Sequence, residues 1–178
     1  MTDLSLADRG YPIATLPLTS GSLGLAHCPG TDQGRKHAGE PRLVSDIAAA
    51  QAWKAGLVVS LLTSAELEAL GICGLGQEVR NAGMEWRHLP IRDFGTPDDL
   101  AMRQWRTLSP LLHAVLDRGG RVLLHCRAGL GRSGTIAALV LIEAGMPPDA
   151  AIGTVRSVRP GAIETAAQEQ WLRQQVPQ

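Results

Sequence analysis

Cys126 and Arg132 stand six positions apart in His125-Cys126-Arg127-Ala128-Gly129-Leu130-Gly131-Arg132-Ser133-Gly134, with apolar residues on both sides. A thiol and a guanidinium at that spacing can hold and attack a phosphate dianion. Val122-Leu123-Leu124 predicts a short buried strand running into Cys126, and residues 135–142 predict an apolar helix, so the turn between them falls at a helix N-terminus. Free backbone N–H groups and the helix dipole there favour negative charge. Arg127, Ala128, Gly129, Leu130 and Gly131 supply the amides, and the two glycines let them curl into an anion nest. The field that draws in a phosphate also favours the thiolate of Cys126, its nucleophilic form. Arg132 brings a planar fork that grips two phosphate oxygens, which lysine would not reproduce. Ser133 can donate a hydrogen bond to the sulfur and ease its departure, and His125 can orient the loop or tune the thiolate.

Breaking a phosphomonoester also calls for an acid that protonates the departing oxygen. Asp93 is the candidate: it opens the segment Asp93-Phe94-Gly95-Thr96-Pro97, just beyond a strand-like run at residues 84–91. Asp98 and Asp99 compete for the role. They precede the periodic positions Leu100, Met102, Trp105, Leu108, Leu111, Leu112 and Val115, which suits them better to capping a helix.

On these residues the chain resembles the cysteine-based protein phosphatases, whose defining element is His-Cys, five residues, then Arg-Ser or Arg-Thr. Residues 90–98 are similar to the acid loop of the kinase-associated dual-specificity phosphatases. Arg159-Pro160-Gly161-Ala162-Ile163 with Gln168 is similar to their C-terminal segment, and Leu25-Ala26-His27-Cys28-Pro29-Gly30 to their N-terminal turn. The resemblance covers about residues 22–172. It implies hydrolysis of phosphotyrosine, phosphoserine or phosphothreonine in a phosphoprotein or phosphopeptide through a phospho-cysteine, with Asp93 first acid and then base. It implies that Gln168 positions the attacking water, with Gln170 as a rival and a solvated surface glutamine as the plainer reading. Arg159 and Arg127 are candidates for reading phosphosubstrate charge. Two other readings stand beside this one: a phosphoinositide or other small phosphomonoester phosphatase, and an inactive phosphoprotein-binding module. The lipid enzymes of the superfamily carry two basic residues inside the loop, where this chain has Arg127 but Leu130. Inactive relatives lose the nucleophile, arginine or acid, and here all three are present.

The elements that must position these groups alternate along the chain. Strands are predicted at residues 23–27, 57–62, 84–91 and 122–126, and helices at 42–54, 64–70, 77–82, 100–118, 131–143, 147–158 and 165–175. The expected fold is α/β: a mainly parallel sheet of four to five strands flanked by helices, as in dual-specificity phosphatases, with Cys126 and Asp93 beyond the strand C-termini. Residues 22–175 read as a single domain and 1–21 as an N-terminal extension packed on or near it. Of 178 residues, 44% are hydrophobic, enough for one good core. Seventeen basic and seventeen acidic residues cancel, which gives no sign of nucleic acid or a membrane surface as partner. No apolar run reaches spanning length, and the segment bearing Asp3, Asp8 and Arg9 lacks a signal-peptide core. Three cysteines, Cys28, Cys73 and Cys126, cannot all pair, so a reducing, cytoplasmic compartment is expected; a monomer is also expected, though no residue pattern points to it. Cys28 and Cys73 read as resolving thiols or as inert core, and Arg35-Lys36-His37 as a solvated loop. No histidine pair has a ligand spacing such as HExxH, so neither metal nor cofactor is expected.

Overall fold

The computed structural model describes residues 10–32 and 40–176, so Arg35, Lys36 and His37 lie outside the described residues. Strands β1 (Ala14–Pro17), β2 (Ser22–Ala26), β3 (Ala55–Ser60), β4 (Glu85–His88) and β5 (Arg121–His125) form one sheet in the order β1-β2-β5-β3-β4. Four strands are parallel, and β1 lies antiparallel on β2. Helix α1 (Glu40–Ala52) leads to β3, α2 (Ser64–Ala69) and α3 (Leu75–Asn81) join β3 to β4, and α4 (Asp99–Asp117) joins β4 to β5. After β5 come α5 (Gly131–Glu143), α6 (Pro148–Val158) and α7 (Ala166–Arg173).

Successive residues of the inner strands serve two cores, as expected of a parallel sheet covered on both faces. Leu25, Val59, Val122 and Leu124 pack with Trp105, Leu112, Ile136 and Leu139 of α4 and α5. Ala26, Val58 and Leu123 pack on the other face with Leu43, Ile47, Leu75 and Val79 of α1 and α3. Helix α5 is buried from Gly131 to Ile142, which explains its run of apolar residues without a polar face. Each large aliphatic side chain sealed this way contributes roughly 1.5–3 kcal/mol.

Two differences from the sequence expectations matter for the site. Residues 14–17, assigned by sequence to the extension, are an edge strand of the sheet. Only Leu16 is buried there, and Pro17, with no N–H for the ladder, ends the strand, so four residues carried too weak a pattern to read. Strand β4 is shorter than residues 84–91 because Pro90 cannot donate. Even so, Leu89 N and Ile91 N still donate to Ser60 and Leu61 carbonyls at 2.9 and 3.0 Å. That continuation carries Arg92 and Asp93 to the sheet edge where β5 delivers Cys126.

Candidate active site

Cys126 follows the central strand, 2% exposed, and its sulfur lies 3.5 Å from the Ser133 hydroxyl in the first turn of α5. Residues 126–130 form the turn between them. Gly129 has φ +72, and a Cβ there would stand 2.4 Å from the Ala26 carbonyl carbon, so both backbone conformation and space demand glycine. At Gly131 the neighbours are side-chain ends, which a Cβ would push aside. A Cβ would stand 2.5 Å from a Glu164 carboxylate oxygen and 3.1 Å from Gln168 Nε2.

The carbonyls of this turn are held away from the cup. Arg159 donates from Nε to the Gly129 carbonyl and from Nη2 to the Ala128 carbonyl, both at 3.1 Å. The Leu130 carbonyl accepts from Gly134 N and Ile163 N. In a trans peptide the N–H points opposite to its carbonyl, so the N–H groups of Gly129, Leu130 and Gly131 are directed away from the groups that hold these three carbonyls. Arg159 therefore braces the loop, where the sequence suggested that it reads substrate charge. Arg127 is exposed on the loop, and Ala128 and Leu130 are half-buried beside it.

Arg132 is 1% exposed, and a buried guanidinium has to be paired. Nη1 donates to Glu66 Oε2 at 2.8 Å and to the Ile91 carbonyl at 3.0 Å. Nη2 donates to Glu66 Oε1 at 2.9 Å and meets Asp93 Oδ1 at 2.9 Å. Burial alone would weaken the protonated form, but Glu66, the Cys126 sulfur and Asp93 outweigh it and hold Arg132 above its ordinary value. Burial likewise raises the Glu66 carboxyl, and its bonds from Arg132 and Thr63 more than reverse that, leaving it below the usual range. Glu66 is also the N3 residue of the α2 capping box, where Oε2 accepts from Thr63 N and Oγ1, both at 2.9 Å. The Thr63-x-x-Glu66 pattern is visible in the sequence, but nothing there links it to Arg132.

Asp98 is the N-cap of α4 and accepts from Ala101 N at 2.8 Å, which leaves Asp93 as the carboxylate aimed at Arg132. Beside it Phe94, 60% exposed, has φ +56, a left-handed conformation costly for a residue with a Cβ. Two bonds hold the segment in place. Thr165 Oγ1 donates to the Phe94 carbonyl at 3.4 Å and Gln168 Nε2 to the Gly95 carbonyl at 3.0 Å. Gln168 is fully buried, and its Oε1 accepts from Thr165 N in the capping box of α7. Its amide therefore clamps the segment that follows Asp93 to α7. Gln170 is exposed on that helix. Cys28 is buried in the second core, where burial and then the neighbouring Cys126 push its thiol up, whereas Cys73 is exposed; all three thiols are free.

Two buried histidines back the cup. His125 Nε2 lies 2.6 Å from Ser60 Oγ, which also accepts from Trp86 Nε1 at 2.8 Å. Burial holds His125 neutral, pushing it down to about 3. His27 is edge-on to Tyr11, whose hydroxyl donates to the His27 carbonyl at 2.6 Å, and burial lowers it to about 4. Among the described residues no cluster of three His, Cys, Asp or Glu side chains could hold a metal ion.

A buried thiol at the N-terminus of a helix, beside a serine hydroxyl and an arginine that meets a carboxylate, can perform phosphoryl transfer. A family model described as a polymorphic toxin system DSP-PTPase phosphatase matches residues 48–146, more than half of the chain. The chain belongs to this phosphatase family. This DSP-PTPase chain is 34% identical over 115 residues to cyclin-dependent kinase inhibitor 3 of Rattus norvegicus, covering 63% of itself and 53% of that protein. It is 39% identical over 83 residues to the tyrosine-protein phosphatase CDC14 of Saccharomyces cerevisiae, 46% of itself and 14% of the relative. The chain thus spans about half the length, or less, of these curated relatives. Its fold superposes on kinase associated phosphatase, crystallised with its catalytic-site cysteine replaced by serine, at a TM-score of 0.81, 27% identity and 93% coverage of both chains. Tk-PTP in its active form matches with a TM-score of 0.67 and 27% identity, covering 92% of this chain and 98% of that one.

Proposed function

We propose that this chain is a dual-specificity phosphoprotein phosphatase that works through a phospho-cysteine. The observation that carries the reading is the convergence on one guanidinium: Arg132 is held by Glu66 on one side and touches Asp93 on the other, above the buried Cys126. Four of its five N–H donors are engaged, two to Glu66, one to Ile91 and one to Asp93. The Nε–H and the donor now held by Asp93 form an edge that fits two phosphate oxygens.

Phosphate takes that edge, and the released Asp93 faces the leaving oxygen. Cys126 sulfur attacks phosphorus in line, the ester P–O bond breaks, and Asp93 gives its proton to the departing side chain. Arg132 and the loop amides hold the equatorial oxygens. Water then attacks phosphorus, its proton passes to the Asp93 carboxylate, and the sulfur leaves as thiolate with a hydrogen bond from Ser133. Phe94, standing exposed next to the acid, offers an apolar wall to the substrate side chain. A protein substrate is favoured over a phosphoinositide because Leu130 occupies the loop where a second cation would meet ring phosphates, and Arg159 is spent on carbonyls. A thiolate nucleophile suits a reducing compartment such as the cytoplasm.

Phosphopeptides and a phosphoinositide should be compared with wild type and Cys126→Ser. Faster turnover of phosphopeptide, abolished by the substitution, supports the proposal. Faster turnover of the lipid, or activity retained by the variant, overturns it.

A further inference from the structure

We propose that Ser60 and Trp86 are positioning residues that select the tautomer of His125 and through it support the thiolate of Cys126. The inference rests on the phosphatase reading and deepens it. Ser60 ends β3 and pairs in register with His125 at the end of β5, so the two side chains leave the same face of the sheet. Both residues are fully buried. Trp86, on the neighbouring strand β4, is half-buried.

Donor accounting decides the arrangement. An indole N–H only donates, so at 2.8 Å from Trp86 Nε1 the Ser60 oxygen must accept. Ser60 has a second lone pair, but its single hydrogen is buried, and among the described residues the ring nitrogen 2.6 Å away, His125 Nε2, is the acceptor at hand, so the hydroxyl donates there and Nε2 accepts with its lone pair. A neutral imidazole protonated on only one nitrogen must therefore carry its hydrogen on Nδ1. Nδ1 makes no hydrogen bond of ordinary geometry, yet the Cys126 backbone lies close enough to favour its proton. The N–H dipole is thus turned toward the peptide of the nucleophile. The opposite tautomer would present a lone pair there and disfavour a negative sulfur.

The other charged and titratable groups around these two residues come from separate elements. His27, His88 and Arg132 face His125, while Tyr11, Cys28 and Arg132 face Cys126. Ser60→Ala leaves all of them in place. It removes only the hydroxyl that chooses between the two ring nitrogens. Trp86→Phe acts one step further out, because a Ser60 hydroxyl released from the indole can turn to accept from His125 in place of donating.

The full chain is tested by following iodoacetate inactivation against pH, with turnover of p-nitrophenyl phosphate and melting temperature measured in parallel. Ser60→Ala should move the inactivation midpoint upward by about half to one pH unit, slowing alkylation at mildly acidic pH about three- to tenfold. Trp86→Phe should move it the same way by less, and it keeps the proposal open to test should Ser60→Ala fold poorly. Ring-nitrogen chemical shifts of wild-type His125 should place the proton on Nδ1. Unchanged midpoints in both variants, even with lowered stability, or a wild-type proton on Nε2, overturn the inference. Wild type that neither hydrolyses p-nitrophenyl phosphate nor alkylates at Cys126 would instead sink the phosphatase reading.

Discussion

Glu66→Gln is the most informative substitution away from the reacting atoms. Glutamine is isosteric, so its oxygen can stay toward Thr63 and keep the α2 cap, while its NH2 group is forced against Arg132 Nη2. One charge-assisted hydrogen bond is then replaced by two facing donors, and the ion pair is lost around a guanidinium that is 1% exposed. A bond to a charged group is worth about 1.5–3 kcal/mol, and breaking a buried ion pair costs about 3–5 kcal/mol. Asp93 and the Ile91 carbonyl remain as partners, so the lower end applies, about 3 kcal/mol. For a chain of this length that lowers the melting temperature by roughly 6–12 °C. Inhibition by vanadate or tungstate should weaken about tenfold or more, because the fork that receives the oxyanion is no longer fixed. Calorimetry and oxyanion inhibition check both effects. A melting shift within about 2 °C together with unchanged inhibition would refute the claim that Glu66 holds Arg132 in its working geometry.

Asp93→Asn should lower kcat on phosphopeptides by about 100- to 10,000-fold while leaving iodoacetate alkylation of Cys126 intact, measured on one preparation. Arg159→Met frees the Ala128 and Gly129 carbonyls. It should raise the inhibition constant for tungstate about tenfold with measurable turnover retained, and equal inhibition in both proteins would show that the brace is dispensable. Stability should fall on acidification in two stages. His27 and His125 are neutral in the fold, down to about 4 and about 3, so the unfolded chain gains protons first and their contribution is lost as pH falls below 6.5. The second stage involves Glu66 and Glu143, whose depressed carboxyls contribute above the ordinary value near 4.5 and lose that contribution as pH falls through their folded values. Denaturant titrations from pH 7 to pH 4 should show the first stage, and a flat profile between pH 6.5 and 4 would contradict it.

The phosphate loop was legible because its chemistry is local: nucleophile, arginine, glycines and serine sit in one strand–turn–helix, and each residue type has one evident use. Asp93 was legible because a turn-forming segment follows a strand, while Asp98 stands where a helix needs a cap. Glu66 was not, since its partner lies 66 positions away and the capping box gives that carboxylate a sufficient role of its own. The brace made by Arg159 was not legible for a related reason. An arginine near an expected phosphate suggests a ligand contact, and only coordinates show its donors turned to backbone carbonyls. Gln168 read evenly as a water-positioning amide or a solvated surface residue; the structure buries it, with one end bonded to Thr165 and the other to Gly95. Gly129 and Gly131 were both read as freedom to curl, and the structure gives the positive φ and the tight backbone contact to Gly129 alone. Strand ends shifted by one to three residues, most at β4, where Pro90 limits donors without ending the backbone pairing.

The covalent intermediate offers the most direct test of the account. The full chain should be mixed with a phosphopeptide, quenched in acid within the first turnover, digested and analysed by mass spectrometry. The peptide containing Cys126 should carry one phosphoryl group, and that group should be absent from Cys126→Ser. Substrate hydrolysis that proceeds at full rate with no phosphoryl group trapped on Cys126, or a group trapped on another residue, would contradict it.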